Sequence, residues 1–392
     1  MNTSKLLKAL PAALILATGV ARAQNLFPLY GASAGAVSDV AVATTVPPAG
    51  GRASDVAAAV VNGSGELEVI AWADTTSKLV RLGSASAAGL TQSVAITGLD
   101  ASRVVTASYS GDFTVAVDTW KLGGSDVGVA RQGSETQQPA FIGGSIGIAR
   151  LSSTRVAVSF VDPSSSDLFV YAYDISASGV PTYLAAWGVS GIADSGIGLL
   201  GITPVSSDLV MTAIRDLSGN LKVITWKVTG TSVLPMDTYT AGAVSKVAIG
   251  ADFGTGSAMT ACVNGSGDLE NIYWNISSSG KITRAQTVTA GHVADTAAAW
   301  SPYGLRVTAV RGEPGGDLDL ERWQDPFLES NGEIGDFDSS SPISMVSLAS
   351  EGVGPVKDDE QENYFVTAAR STAGDLEVEV FETEQAITPP PK

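Results

Sequence analysis

Apolar residues in this chain come in short runs whose members alternate with polar ones. In Leu221-Lys-Val-Ile-Thr-Trp226 and Leu376-Glu-Val-Glu-Val-Phe381, positions two apart share a character, which is the period of a β-strand. After residue 23 no stretch sustains the 3.6-residue period of a helix. The runs are joined by turns holding Ser-Gly or Gly-Asp, which supply the positive φ that a tight hairpin needs.

One phrase recurs. It reads Asp216-Leu-Ser-Gly-Asn-Leu221, with Trp226 five residues beyond the leucine. Close copies are Asn62-Gly-Ser-Gly-Glu-Leu67 with Trp72 and Asn264-Gly-Ser-Gly-Asp-Leu269 with Trp274. Looser ones end at Leu318 with Trp323 and at Leu376 with Phe381. Degenerate ones sit at Ser110-Gly-Asp-Phe113 and at Leu168 with Tyr173. Around each lies a four-strand pattern. A strand of small residues comes first, then a β-branched strand, the glycine turn with its aromatic strand, and a short outer strand. A unit of this size cannot bury both faces alone, so units must stack. Ala, Gly and Val in the first strand suit an innermost position, and the bulky aromatics suit the wider gap further out.

The pattern predicts an all-β fold: a seven-bladed β-propeller of four-stranded antiparallel blades. The blades span roughly 36–83, 91–132, 142–186, 196–238, 243–285, 292–328 and 343–381. The last is expected to take its outer strand from residues 25–31, so that the N-terminal strand closes the ring. The competing reading gives that place to Ala386–Thr388. The propeller covers 24–385, and 386–392 is a Pro-rich tail.

Composition narrows the function classes. The net charge is −17, which repels nucleic acid and anionic lipid. Residues 1–23 read as a signal peptide: Lys5 and Lys8 precede an apolar core, and Ala21-Arg-Ala23 is a cleavage site. The mature chain is therefore expected to be secreted or periplasmic. Later apolar runs are broken by Gly, Asp or Ser, so no membrane span is expected. With one cysteine, Cys262, no intramolecular disulfide can form.

The repeated turn and aromatic resemble those of secreted bacterial seven-bladed β-propellers with tandem blades. The Gly-His and Trp-Asp pairs of WD40 blades, the kelch double glycine and the integrin-type calcium loop are absent. The resemblance implies the fold and, by analogy, a lectin or other binding scaffold.

Features carried by some units only are the better functional candidates. Arg215, Arg311 and Arg370 share one register just before the turn, where a guanidinium fork suits a carboxylate or acidic sugar. The structural alternative pairs them with the acidic turn. Acidic residues precede the repeated apolar anchor, among them Asp112, Asp268, Asp317 and Asp375. They are weak metal candidates, because one carboxylate per turn makes a poor calcium cage, and turn chemistry explains them as well. Trp72, Trp226, Trp274 and Trp323 read as packing between blades. Trp120, Trp187 and Trp300 fall outside that register, which makes them candidate ligand-stacking residues. His292 is the single histidine, and neither a catalytic triad nor a histidine-ligated zinc site is expected.

The expectation is thus an exported, non-enzymatic binding module without a cofactor. Its ligand would be carbohydrate or protein, on the face bearing the glycine turns. The alternatives are a cell-envelope interaction component docking through acidic segments 324–342 and 350–363, and a hydrolase or lyase of extracellular polysaccharide.

Overall fold

A computed structural model describes residues 26–46, 55–75, 78–123, 128–138, 144–196, 198–300, 305–312, 318–323, 339–348 and 360–386. The expected signal peptide, Asp317, residues 387–392 and most of the two acidic segments lie outside the described residues.

Every described element is a strand, and every pairing is antiparallel. The pairings fall into groups, here called units. Unit one contains the C-terminal half of β1 (Leu26–Thr44), β2 (Asp55–Asn62), β3 (Glu66–Asp74) and the first half of β4 (Leu79–Gly98). The rest of β4 joins β5 (Arg103–Ser110), β6 (Val115–Leu122) and β7 (Val129–Gln137) in unit two. Unit three is β8 (Ile146–Ser152), β9 (Arg155–Asp162), β10 (Asp167–Ile175) and β11 (Pro181–Val189). Unit four is β12 (Leu200–Ser206), β13 (Leu209–Arg215), β14 (Asn220–Val228) and the start of β15 (Val233–Asp252). Unit five takes the rest of β15, β16 (Ser257–Asn264), β17 (Asp268–Ile276) and the start of β18 (Ile282–Trp300). Unit six holds the rest of β18, β19 (Arg306–Gly312) and β20 (Leu318–Trp323). Unit seven holds β21 (Ser339–Leu348), β22 (Glu360–Ser371), β23 (Asp375–Ala386) and the first half of β1.

The N-terminal pairing is longer than the sequence suggests. It runs from Leu26 opposite Thr383 to Ala36 opposite Asp375. Residue Ala386 belongs to β23 itself, opposite Glu360.

Four long strands, β1, β4, β15 and β18, each serve two units, where the sequence suggests separate short strands. They pass from outer to inner position at the recurring Ala34-Gly35, Ala88-Gly89, Ala241-Gly242 and Ala290-Gly291. Just beyond each glycine pair, a main-chain N–H donates to the carbonyl of the turn glycine of the unit being left. The bonds are Val37 to Gly374 (2.9 Å), Thr91 to Gly65 (2.7 Å), Val244 to Gly219 (2.8 Å) and Val293 to Gly267 (2.9 Å). The same bond therefore forms where β1 leaves unit seven as where the other three strands cross.

The core lies between units. Trp72 packs with Val366, Leu376 and Val378 of unit seven, Trp120 with Ala59 and Leu67 of unit one, and Trp274 with Ala213 and Leu221 of unit four. Each repeated aromatic thus covers the preceding unit. The indole N–H of Trp120, Trp226, Trp274 and Trp323 donates to a threonine of the β-branched strand: Thr106, Thr212, Thr260 and Thr308, at 2.8–3.1 Å. A buried indole donor needs such a partner. The innermost strands touch in succession: β1 with β4, β4 with β8, β8 with β12, β12 with β15, β15 with β18, β18 with β21, and β21 with β1.

Candidate functional site

The glycine turns are built by their first residue. Asn62 Oδ1 accepts the N–H groups of Ser64 (3.0 Å) and Glu66 (3.1 Å). Asp216 Oδ1 accepts those of Ser218 and Asn220, both at 2.9 Å, and Asn264 Oδ1 those of Ser266 (2.8 Å) and Asp268 (3.0 Å). Gly219 closes its turn at φ 81°, a conformation that costs a side chain. Turn chemistry therefore belongs to the residue four positions before the acidic one.

The acidic residues scatter. Asp268 Oδ1 lies 3.4 Å from His292 Nδ1. Asp375 is exposed, and its N–H donates to Ser371 Oγ at 3.1 Å. Asp112 accepts from the hydroxyls of Ser110 and of Thr114 (2.9 Å), which hold its carboxyl below the usual range. Among the described residues no three such groups come together around a metal position.

The arginines are engaged locally. Arg215 Nη1 donates to Asp194 Oδ2 at 3.0 Å, and its Nη2 lies over Gly219. Arg370 Nη2 lies over Gly374 in the same way. Arg311 stands opposite Asp295 in the β18–β19 pairing.

Two of the three candidate tryptophans are out of reach. Trp120 is fully buried, which corrects its expected exposure. It belongs to the shared register, because the true apolar anchor of unit two is Val115, five residues before it, and Phe113 is a turn residue at φ 67°. Trp300 is buried under the Arg306 guanidinium, 4.5 Å from its ring centroid. Trp187 is 46% exposed on β11. Cys262 is buried, and burial pushes its thiol up to about 12.

One surface feature is not announced by the sequence. A groove of about 920 Å³ lies between units one and two. It starts at the unit-two turn and reaches Arg131 on outer strand β7; Leu90, Gln92, Asp112, Asp118 and Thr136 also line it. Arg131 lies opposite Trp120, beside a β-bulge. Its Nε donates to Asp118 Oδ1 at 2.9 Å, its Nη2 to the same oxygen and to Ser134 Oγ at 2.7 Å. Asp118 is 1% exposed while Arg131 is 39% exposed, so a buried carboxylate fixes an accessible fork. Leu90, 70% exposed, supplies an apolar edge. The combination of fixed polar groups and apolar wall is that of ligand grooves.

A second cavity, of about 580 Å³, is lined by β1, β4, β8, β12, β15, β18 and β21. At its end nearer the glycine turns, Asp39, Ser93, Lys246 and Asp295 occupy one register position of their inner strands. Asp39 accepts the N–H groups of Val40 (3.1 Å) and Val94 (3.0 Å), which ties unit one to unit two. Burial nevertheless pushes its carboxyl up to about 6. Ser145 Oγ similarly accepts the Gly198 N–H at 2.7 Å, between units three and four.

These features define a β-propeller fold, and solved structures agree. A candidate 6-phosphogluconolactonase of Bacteroides uniformis is 15% identical, with 77% of this chain and 83% of that chain covered at a TM-score of 0.54. The WD40 domain of Toxoplasma gondii coronin is 12% identical, with 94% and 88% covered at 0.53. The fucose-specific lectin of Aleuria aurantia is 12% identical, with 76% and 97% covered at 0.50. At such identities the likeness is one of fold. No protein-family model matches the chain, and no curated protein matches it.

Proposed function

We propose that this chain is an exported seven-bladed β-propeller, closed by β1, that acts as a non-enzymatic binding module for carbohydrate. Closure is supported by the β1–β23 pairing, by the Val37–Gly374 bond that repeats the crossing bonds elsewhere, and by the unbroken succession of inner-strand contacts. Export is supported by the leader pattern in residues 1–23.

The binding reading is carried by one observation. The groove between units one and two presents the Arg131 fork, held by buried Asp118, next to exposed Leu90. Sugars offer hydroxyls for such a fork and an apolar ring face for such an edge. The lectin of A. aurantia is named for fucose, and its fold gives the reading a precedent. Among the described residues Asp39 is the one channel carboxyl pushed toward neutrality, and both its oxygens serve as main-chain acceptors. That makes it a strap between units, so the enzymatic alternative draws no catalytic pair from it.

The test is binding of purified residues 24–392 to an array of glycans and polysaccharides, with calcium and with EDTA. Glycan binding in both conditions is expected, weakened in Arg131→Ala and unchanged in Arg215→Ala. Absence of glycan binding overturns the carbohydrate reading and turns the search to protein partners of the acidic segments.

A further inference from the structure

The Arg131 fork has two counterparts that no turn motif marks. On each described outer strand, one residue stands opposite the repeated aromatic. It is Arg81 opposite Trp72 in unit one, Arg131 opposite Trp120 in unit two, and Arg284 opposite Trp274 in unit five. In unit three the place belongs to Tyr183, in unit four to Pro235, and in unit seven to Pro28.

The three arginines share their local geometry. Each donates to a hydroxyl three residues further on: Arg81 to Ser84 (3.3 Å), Arg131 to Ser134 (2.7 Å) and Arg284 to Thr287 (2.7 Å). Each lies beside the bulge that interrupts the pairing next to its tryptophan. Bulges re-aim side chains. Arg284 also meets an acid, with Nη2 3.5 Å from Glu270 Oε1. Because each tryptophan packs on the preceding unit, each arginine sits over the junction with that unit.

We propose that Arg81, Arg131 and Arg284 are three equivalent sugar-binding stations, and that the protein is a trivalent receptor for neutral polysaccharide. This deepens the carbohydrate reading above and rests on it. The chemical class follows from charge. At Arg131 and Arg284 the guanidinium already paired with a carboxylate offers no net charge to an acidic sugar. It does offer donors beside an acceptor, which matches vicinal hydroxyls that donate and accept in turn. A chain of net charge −17 also repels polyanions. Polymer preference follows from placement. The stations stand at three separate junctions, so one small sugar reaches one of them, while a long or surface-borne chain engages several at once.

The test is a calorimetric titration with the methyl glycosides of glucose, galactose, mannose, xylose and N-acetylglucosamine, followed by binding to immobilised mannan and dextran. The best glycoside is expected to bind with three sites per chain. Arg81→Ala, Arg131→Ala and Arg284→Ala should each remove one site; the melting temperature should hold in Arg81→Ala and Arg284→Ala and fall in Arg131→Ala, which leaves the buried Asp118 carboxylate unpaired. A double variant left with one station should lose on the order of 10²-fold in apparent affinity for the polysaccharide, and the triple variant should not bind it. Arg131→Lys, which keeps the charge and loses the fork, should also remove a site. A single site unaffected by Arg81→Ala and Arg284→Ala overturns trivalency and leaves the groove reading standing. Tighter binding to polygalacturonate than to the neutral polymers overturns the neutral-sugar class. If no glycoside and no polysaccharide binds, the carbohydrate reading itself fails.

Discussion

At the residue scale, the turn and the aromatic strand are held by a few side-chain acceptors. Asp216 is buried and accepts two main-chain N–H groups. Asp216→Ala should cost about 2 kcal/mol, measured by urea denaturation. Thr212→Val keeps shape but leaves the Trp226 indole donor without its acceptor. It should cost about 1–3 kcal/mol, whereas the same change at an exposed threonine such as Thr182 should be nearly silent. The repeated turn and aromatic were legible because they are local in sequence. Unit two was misaligned because Phe113 is an apolar residue placed in a turn, two positions before the true anchor Val115. The arginine stations were not legible, because a turn of varying length separates them from the aromatic they face. Only the pairing brings Arg81, Arg131 and Arg284 to one register.

At the element scale, the inner strand is selected by space. At Gly98 an added Cβ would come within 2.0 Å of the Thr44 carbonyl oxygen. Gly98→Ala must therefore push β4 away from the end of β1, and a loss of about 1–3 kcal/mol is expected in thermal or chemical unfolding. The small residues of these strands were readable as a sign of crowding, although the partner of each was not. The double use of β1, β4, β15 and β18 was hidden for another reason. A strand that crosses between units carries no turn residue to break it, and the Ala-Gly at each crossing reads as ordinary small-residue sequence. Removing residues 24–36 deletes the outer strand of unit seven and the approach to Val37. The melting temperature should fall; an unchanged one would refute closure by β1.

At the scale of the whole molecule, stability should depend on pH in an uncommon direction. Glu379 lies beneath β1, where an added Cβ on Gly31 would come within 3.2 Å of its Cγ. Burial and then neighbouring Glu377 push its carboxyl up to about 7, and its Oε2 is buried without a hydrogen-bond partner. An unfolded glutamate ionises near 4.3. Between about 4.3 and 7 the folded chain holds a proton that the unfolded chain has lost. This group's contribution therefore falls as pH rises through that window and is level above it. Asp39 acts in the same sense between about 3.9 and 6. Melting temperatures across pH 4–8 should decline toward neutrality, and Glu379→Gln should flatten the decline. A profile that Glu379→Gln leaves unchanged would show that the buried carboxyl is not its source.

The sharing of strands also divides the molecule unequally. Ten strands run as one continuous hydrogen-bonded sheet through units seven, one and two, and nine more through units four, five and six. Unit three stands between them with four strands that belong to no other unit. Its joints with its neighbours are made by side-chain packing and by single bonds such as Gly198 to Ser145. Local opening should start there, so the amides of β8 and β11 should exchange with deuterium ahead of those in β4 and β15. New chain ends placed in 139–143 or 192–197, with the old ones linked, would sever none of the described strands. A circular permutant cut at either point should keep its fold, while one cut within 85–92 should not.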